Sequence, residues 1–350
     1  MFDFLRSKPS KEHKGEITAL AIAPDGSHAV TGAHAHQLLD RDAIMWRLPA
    51  AEFERRLKGH RVAIYSAAYS PNAKVIATGG GGAVMGKRWV YDHAIRVWHE
   101  RGAPGKVFGN DLFFVRALSF SPDGRTLLSG SANDAPVAPE RNGASLRLWD
   151  WSKGKEVARF GNHRSSVDSV AFTPDGKRVV AGSSGMISGG TAAGDVEAKK
   201  RLGLEGRTLR LWDVSSQKEI DAFASWAWIN SVVFHPSGNY LFSCGRGVTC
   251  WDCNTGNSIA QFLPDSFIHD ASISPDGTLL ALGTGGRIEA AAPYDDCFVR
   301  IHNSMTGALI AEFRHKYPVK ALAFAPDGKH VLAGGVFGEL HYWELPETGA

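Results

Sequence analysis

The side chains that most suggest chemistry are hydroxyl, imidazole and carboxylate groups recurring at similar intervals. His13, Thr31 and Asp40 precede Trp46, and His60, Thr78 and Asp92 precede Trp98. A hydroxyl, an imidazole and a carboxylate are the parts of a nucleophilic relay, in which the imidazole takes the hydroxyl proton and the carboxylate orients it. Cys250 and Cys253 have the spacing of half a zinc site or of a redox pair. In an extended strand, residues three apart face opposite sides. No second pair follows, so neither role is expected. His34, His36, Asp40 and Asp42 crowd one loop and offer metal-ligand atoms, but loop histidines are more often simply solvated. No metal or cofactor is expected. The Gly79–Gly82 run lacks the following helix that a phosphate loop needs, and reads as the flexible base of a loop.

Whether any of these groups can act depends on the elements that hold them, and a repeat defines those elements. A Pro-Asp-Gly-like turn starts at Pro24, Pro71, Pro122, Pro174, Pro236, Pro275 and Pro326. Seven residues before each stands Ile17, Ile64, Val115, Val167, Ile229, Ile268 or Val319, all β-branched. Seven residues after each, a second apolar strand ends, usually just before a glycine. A third strand ends at Trp46, Trp98, Trp149, Trp212, Trp251, His302 or Trp343, and a fourth at an apolar residue such as Leu57 or Phe108. Four short strands, repeated seven times at a period of about 40–45 residues plus insertions, are the signature of a β-propeller.

The dipeptides Trp149-Asp150, Trp212-Asp213 and Trp251-Asp252, with the pair Gly59-His60, extend this pattern. In these motifs, and over nearly its whole length, the chain resembles the WD40 family. The resemblance implies an all-β fold: a seven-bladed propeller of four-stranded antiparallel blades. The expected blades are about 13–58, 59–110, 111–161, 162–223, 224–263, 264–314 and 315–343, the last completed by an N-terminal strand at 2–8. It also recasts the apparent relay. His13, Thr31, Asp40 and Trp46, and likewise His60, Thr78, Asp92 and Trp98, are expected to form buried hydrogen-bond networks between strands, which leave no polar group unsatisfied. Asp42 is an alternative to Asp40.

Composition bounds the function. The net charge of +3 on 350 residues gives no electrostatic case for nucleic acid or an acidic membrane. No apolar run approaches the roughly 18 residues of a membrane span. Four cysteines are too few for a disulfide framework. A cytoplasmic protein is expected.

Spacing locates the site. From each tryptophan-position residue to the next turn proline there are 24 or 25 residues, whereas from each proline to its own tryptophan position the gap ranges from 15 to 38. Length varies only between strands two and three, so the enlarged loops share one face. They carry Arg88, Trp89 and Tyr294, and acidic residues intersperse. In WD40 proteins the residues flanking the β-branched position commonly line the partner-binding mouth. Here these include Tyr65, Phe114, Arg116, Asp168, Trp228, Asn230, Phe267, His269 and Lys320, with Trp226 just outside. Aromatics and arginine dominate binding hot spots. The expected function is a non-catalytic scaffold for a protein or peptide, acting as a monomeric propeller within a larger complex. The alternative is a propeller enzyme or small-molecule binder using Arg116, Asp168, Asn230, His269 and Lys320.

Overall fold

A computed structural model of the chain describes residues 12–34, 40–85, 88–109, 114–132, 145–161, 166–183, 208–223, 225, 228–286 and 296–346. These residues are almost entirely β, with one short 3-10 turn at Val336–Gly338. The first sheet is β1 (Glu16–Ile22), β2 (His28–His34), β3 (Ala43–Arg47) and β4 (Glu52–Leu57). The second contains β5 (Ile64–Tyr69) and β6 (Val75–Gly80). A separate hairpin follows, β7 (Gly82–Met85) with β8 (Arg88–Tyr91), before the sheet is completed by β9 (Ile95–His99) and β10 (Pro104–Phe108). The third is β11 (Phe114–Phe120), β12 (Leu127–Ala132), β13 (Leu146–Asp150) and β14 (Lys155–Phe160). The fourth is β15 (Val167–Phe172), β16 (Arg178–Ser183), β17 (Leu209–Asp213) and β18 (Glu219–Phe223).

The next two units share one six-stranded sheet: β19 (Ile229–Phe234), β20 (Tyr240–Asp252), β21 (Ser258–Ile273), β22 (Leu279–Thr284), β23 (Phe298–Asn303) and β24 (Leu309–Arg314). The pairing still falls into the two expected units, β19–β20–β21 and β21–β22–β23–β24, joined because β20 and β21 run on without a break. The fusion follows from the shortest gap in the chain, 15 residues from Pro236 to Trp251. With no loop to spare, β20 supplies both the second and third strands of its unit, turning at Gly247 with φ +80°. β21 then runs unbroken from the outer strand of one unit into the inner strand of the next. The last sheet has three described strands, β25 (Val319–Phe324), β26 (His330–Gly335) and β27 (Leu340–Glu344). The expected N-terminal strand at 2–8 lies outside the described residues.

Local chemistry sets each first turn. In Pro122-Asp123-Gly124 the Asp123 carboxylate accepts from the Arg125 amide at 3.0 Å and from the Ser121 hydroxyl at 2.6 Å, and Gly124 takes φ +70°. This is an Asx turn closed by a left-handed residue, which glycine adopts without strain.

The sheets pack in a cycle. The inner strands touch in the order β1, β5, β11, β15, β19, β21, β25 and back to β1. The β-branched residue of each inner strand is fully buried, and it lies over the glycine that ends the second strand of the preceding unit. Val167 sits on Gly130, Val319 on Gly283, and Ile17 on Gly334, which closes the circle. In the fifth unit Cys244 holds the glycine's place, and it packs in one cluster with Ile268. The Cys250 thiol belongs to that cluster too, whereas Cys253 packs with Trp251 on the other side of its sheet.

A Cβ added at Gly334 would meet Ile17 Cγ2 at 2.5 Å. Gly334→Ala is therefore expected to cost about 1–3 kcal/mol by overpacking, and Ile17→Ala about 2–5 kcal/mol by leaving a cavity. The double variant is expected to be more stable than the sum of the two losses allows. Urea unfolding of the four proteins measures this, and strict additivity would show that the two residues do not share a contact.

Candidate functional site

Each inner strand carries a β-bulge at the residue after its β-branched knob. The pairing register jumps from Ile17 to Ala19, Ile64 to Ser66, Val115 to Ala117, Val167 to Ser169, Ile229 to Ser231, Ile268 to Asp270 and Val319 to Ala321. The skipped residues are Thr18, Tyr65, Arg116, Asp168, Asn230, His269 and Lys320. A bulge leaves one residue out of the ladder and re-aims its side chain. All seven line one cavity of about 590 Å³, with Glu16, Ser166, Trp228, Phe267 and Asp270 beside them.

Neighbouring bulge residues interact around this ring. The Arg116 guanidinium lies over the Tyr65 ring at 5.1 Å and 3.8 Å from the Asp168 carboxylate. Thr18 donates to the Ile64 carbonyl at 2.7 Å, and Asn230 to the Ile268 carbonyl at 2.7 Å. His269 Nε2 donates to the Gly285 carbonyl at 3.0 Å, and the Lys320 ammonium stands 3.4 Å from that same nitrogen. Burial, reinforced by the Lys320 charge, pushes the His269 imidazole down to about 3, so it is neutral at physiological pH. Burial also lowers Lys320, although Glu16 favours its charged form. Deeper in the wall, Asp270 accepts from the Leu322 and Ala271 amides, each at 2.9 Å, and from the Ser231 hydroxyl at 3.0 Å. Burial outweighs these bonds and raises its carboxyl to about 6.

Two aromatic groups flank the ring. Trp228 and Phe267 meet edge to face at 6.2 Å, and Phe267 meets His269 at 4.9 Å. Trp228 Nε1 is buried and finds no acceptor among the described residues. On the other side His34, Tyr65, Phe114 and Tyr91 stack in series at 5.4, 5.8 and 5.9 Å. Phe114, expected at the mouth surface, is only 6% exposed and does not line the cavity. It is the filling between Tyr65 and Tyr91. The Gly79–Gly82 run, expected to be a flexible loop base, instead continues β6 into the β7–β8 hairpin. Any Cβ at Gly81 would strike the Tyr65 ring, and one at Gly82 the Phe114 ring. Those glycines are the space in which the rings stack. Arg88 and Trp89 lie on β8, while Trp226 and Tyr294 fall outside the described residues.

The relay-like groups lie elsewhere, in the body of the sheets. Trp98 Nε1 donates to the Thr78 hydroxyl at 2.9 Å, Thr78 is 2.7 Å from His60 Nε2, and His60 Nδ1 is 2.9 Å from Asp92. The Arg61 amide adds a 2.8 Å bond to Asp92. The chain reads consistently with neutral His60: indole to hydroxyl, hydroxyl to Nε2, and Nδ1–H to carboxylate. The first unit repeats it with Trp46, Thr31, His13 and Asp40 at 2.7, 2.8 and 3.2 Å. Asp40, rather than its alternative Asp42, takes the carboxylate place. All eight residues are buried, and each hydroxyl already faces an indole, so neither network presents a nucleophile to solvent. Reduced versions persist where Trp149 donates to Ser129 at 2.8 Å and Trp251 to Ser243 at 2.9 Å.

A cycle of small antiparallel sheets whose inner strands line a shared axial cavity defines a β-propeller. The family model for the WD domain, G-beta repeat, matches residues 6–47, 51–99, 103–150, 154–188, 217–254 and 307–337. The chain belongs to the WD40 repeat family. It is 25% identical over 330 residues to the nuclear distribution protein PAC1 of Arthroderma otae, covering 89% of this chain and 64% of that protein. It is 22% identical over 289 residues to the serine-threonine kinase receptor-associated protein of Gallus gallus, covering 82% and 68%. Protein tipD of Dictyostelium discoideum is 26% identical over 303 residues, covering 83% and 41%. The chain thus spans less than two thirds of the length of PAC1. No helix among the described residues is long and apolar enough to cross a membrane.

Thr78→Val keeps the shape but leaves the His60 and Trp98 ring nitrogens without their partner. A loss of about 1–3 kcal/mol is expected in urea unfolding. The second network also fixes an acid limit. Burial alone would raise the Asp92 carboxyl, but the hydrogen bonds from His60 and the Arg61 amide, with the charge of Arg96, together hold it at about 2. A carboxyl depressed in the fold contributes stability above its unfolded value, and that stability is lost as pH falls. Stability is expected to drop between about pH 4 and pH 2, and Asp92→Asn, though weaker at pH 7, is expected to flatten that limb in an acid titration followed by tryptophan fluorescence.

Proposed function

We propose that the chain is a non-catalytic scaffold, a seven-bladed propeller that takes a protein segment or peptide at the mouth of its axial cavity. The single observation that carries this reading is the convergence of the seven bulge residues on one cavity. They offer cationic, anionic, amide, hydroxyl and aromatic groups within one opening, beside the Trp228–Phe267 pair. The seven-blade count rests on the cycle of inner strands, and residues 2–8 complete the last blade beside β27 in the same reading. The long insertions and the blade-to-blade connections leave the sheets on the same side, because each unit is an antiparallel meander. The relative from Gallus gallus bears a name describing association with another protein, and the same kind of role is proposed here. A cytoplasmic setting is part of the proposal, supported by the free, buried thiols of Cys244, Cys250 and Cys253, as is a single copy working within a larger complex.

The cavity volume favours one second reading. About 590 Å³ falls within the range of small-molecule sites, and Asp270 and His269 supply perturbed groups on its wall.

The two readings separate experimentally. The purified chain carrying both Trp228→Ala and Phe267→Ala is expected to retain at least about tenfold less partner from native lysate than the unaltered chain. Val157→Ser, on an outer strand where Val157 is 47% exposed, is expected to retain it fully. A partner lost on the outer-strand change and kept on the mouth change overturns the scaffold reading of the mouth. A small molecule seen by native mass spectrometry on the unaltered chain, and absent from the double variant, supports the second reading.

A further inference from the structure

We propose that His315, Glu339 and His341 form a binding site for a divalent first-row transition metal, with zinc the best-matched ion. A ring nitrogen of each histidine and a carboxylate oxygen of Glu339 lie within 4.8 Å of one another. Two imidazoles and one carboxylate form a donor set that zinc accepts, with water in the fourth position.

The repeat shows how unusual this grouping is within the chain. Two residues before the tryptophan position stand Arg96, Arg147, Arg210 and Arg300 in four other units. Each guanidinium there faces a carboxylate: Asp92 at 3.7 Å, Glu156 at 3.1 Å, Glu219 at 3.8 Å and Glu312 at 2.8 Å. In the last unit His341 occupies that position. Glu339 stands 3.9 Å from His315 Nδ1, on the side where Asp92 meets His60 Nδ1 at 2.9 Å in the second unit. A fixed cation, which would repel a metal ion, has been replaced by a nitrogen donor.

The packing around the three residues holds them in place. His315 is 3% exposed and meets His341 edge to face at 4.8 Å. The His341 ring is stacked on Trp343 at 5.1 Å. Ala333 stands where Thr31 and Thr78 serve the other networks, so His315 Nε2 has no hydrogen-bond partner. His315 Nδ1 donates to the Tyr317 carbonyl at 2.9 Å. A metal taken through Nδ1 replaces that bond. Zinc–donor distances near 2.0–2.2 Å place tetrahedral donors about 3.3–3.5 Å apart. Binding therefore draws the three donors together by about 1 Å or more from the 4.8 Å that now spans them. The ion would tie the connection before β25 to strand β27 and so brace the last sheet.

The test uses the full chain, stripped with EDTA and returned to metal-free buffer. Zn²⁺ is titrated against a chromophoric chelator, and Co²⁺ is followed by its visible absorption. One equivalent of zinc held with submicromolar affinity, and a tetrahedral Co²⁺ spectrum, are expected. His341→Arg restores the residue type of the other repeats and is expected to weaken zinc by about 100-fold or more, with Glu339→Gln about tenfold weaker. His36→Ala, in the other histidine-rich stretch, is expected to change nothing. Should His341→Arg fold poorly, histidine side-chain NMR of the unaltered chain gives the same answer, with zinc-induced shifts expected at His315 and His341. No zinc held at about 10 µM, affinity unchanged in His341→Arg, loss of zinc in His36→Ala, or ring shifts at other histidines would overturn the proposal.

Discussion

The structure depends on one close contact repeated around an axis, a β-branched side chain seated over a glycine of the preceding unit, with Cys244 in the glycine's place at one contact. Glycine at that point lets two sheets approach until the Ile or Val methyls touch backbone. Adding a methyl group there overfills the gap, and shortening the knob empties it. Interiors packed to crystal density respond to both. Because the last such contact joins Gly334 to Ile17, the two ends of the described chain are held by the same device as every other pair of neighbours. Among the described residues, side-chain packing of Ile17 on Gly334 joins the last unit to the first.

The knob also explains the site. A β-branched residue held rigidly over its glycine fixes the strand at that point, and in each inner strand the next residue is the bulge. The bulge breaks the ladder for one residue, so its side chain is free of the alternation that dictates its neighbours. Thr18, Tyr65, Arg116, Asp168, Asn230, His269 and Lys320 therefore reach the axis from seven equivalent backbone positions. The buried Trp–Thr–His–Asp chains act further out. They tie the strands within a sheet to one another and keep that sheet rigid behind its bulge.

Much of this frame was legible in the sequence because it repeats. The turn prolines, the β-branched positions and the tryptophans recur in one fixed order, with the β-branched residue always seven before its proline and the next proline 24 or 25 after each tryptophan position, and a repeated signal survives local noise. The same count located the axial residues, although it did not show that each is a bulge. Bulges follow from pairing register, which no single strand's composition encodes. Phe114 was misplaced because its neighbours in the stack, Tyr65 and Tyr91, come from elements distant in sequence. The glycine run was misread for the same reason: its purpose is the space occupied by rings from two other strands. The fused fifth and sixth sheets had a visible cause in the 15-residue gap. Their continuity depends on backbone pairing across β20 and β21, which a repeat count cannot supply.

The contrast between two adjacent positions carries the functional argument furthest. At the knob all seven residues are isoleucine or valine, because every one must fill the same gap. One residue later all seven differ: threonine, tyrosine, arginine, aspartate, asparagine, histidine and lysine. A structural role common to all blades would impose a common residue type there, as it does at the knob. No shared packing demand acts on the bulge residue, since it takes no part in the ladder, and each meets different partners at the cavity wall, Arg116 on the Tyr65 ring and His269 on the Gly285 carbonyl. Seven side chains free to differ around one opening can be set individually, and an opening set individually on all sides suits the recognition of an asymmetric object. A repetitive frame thus surrounds an opening whose lining has no symmetry, which is what the proposed binding role calls for.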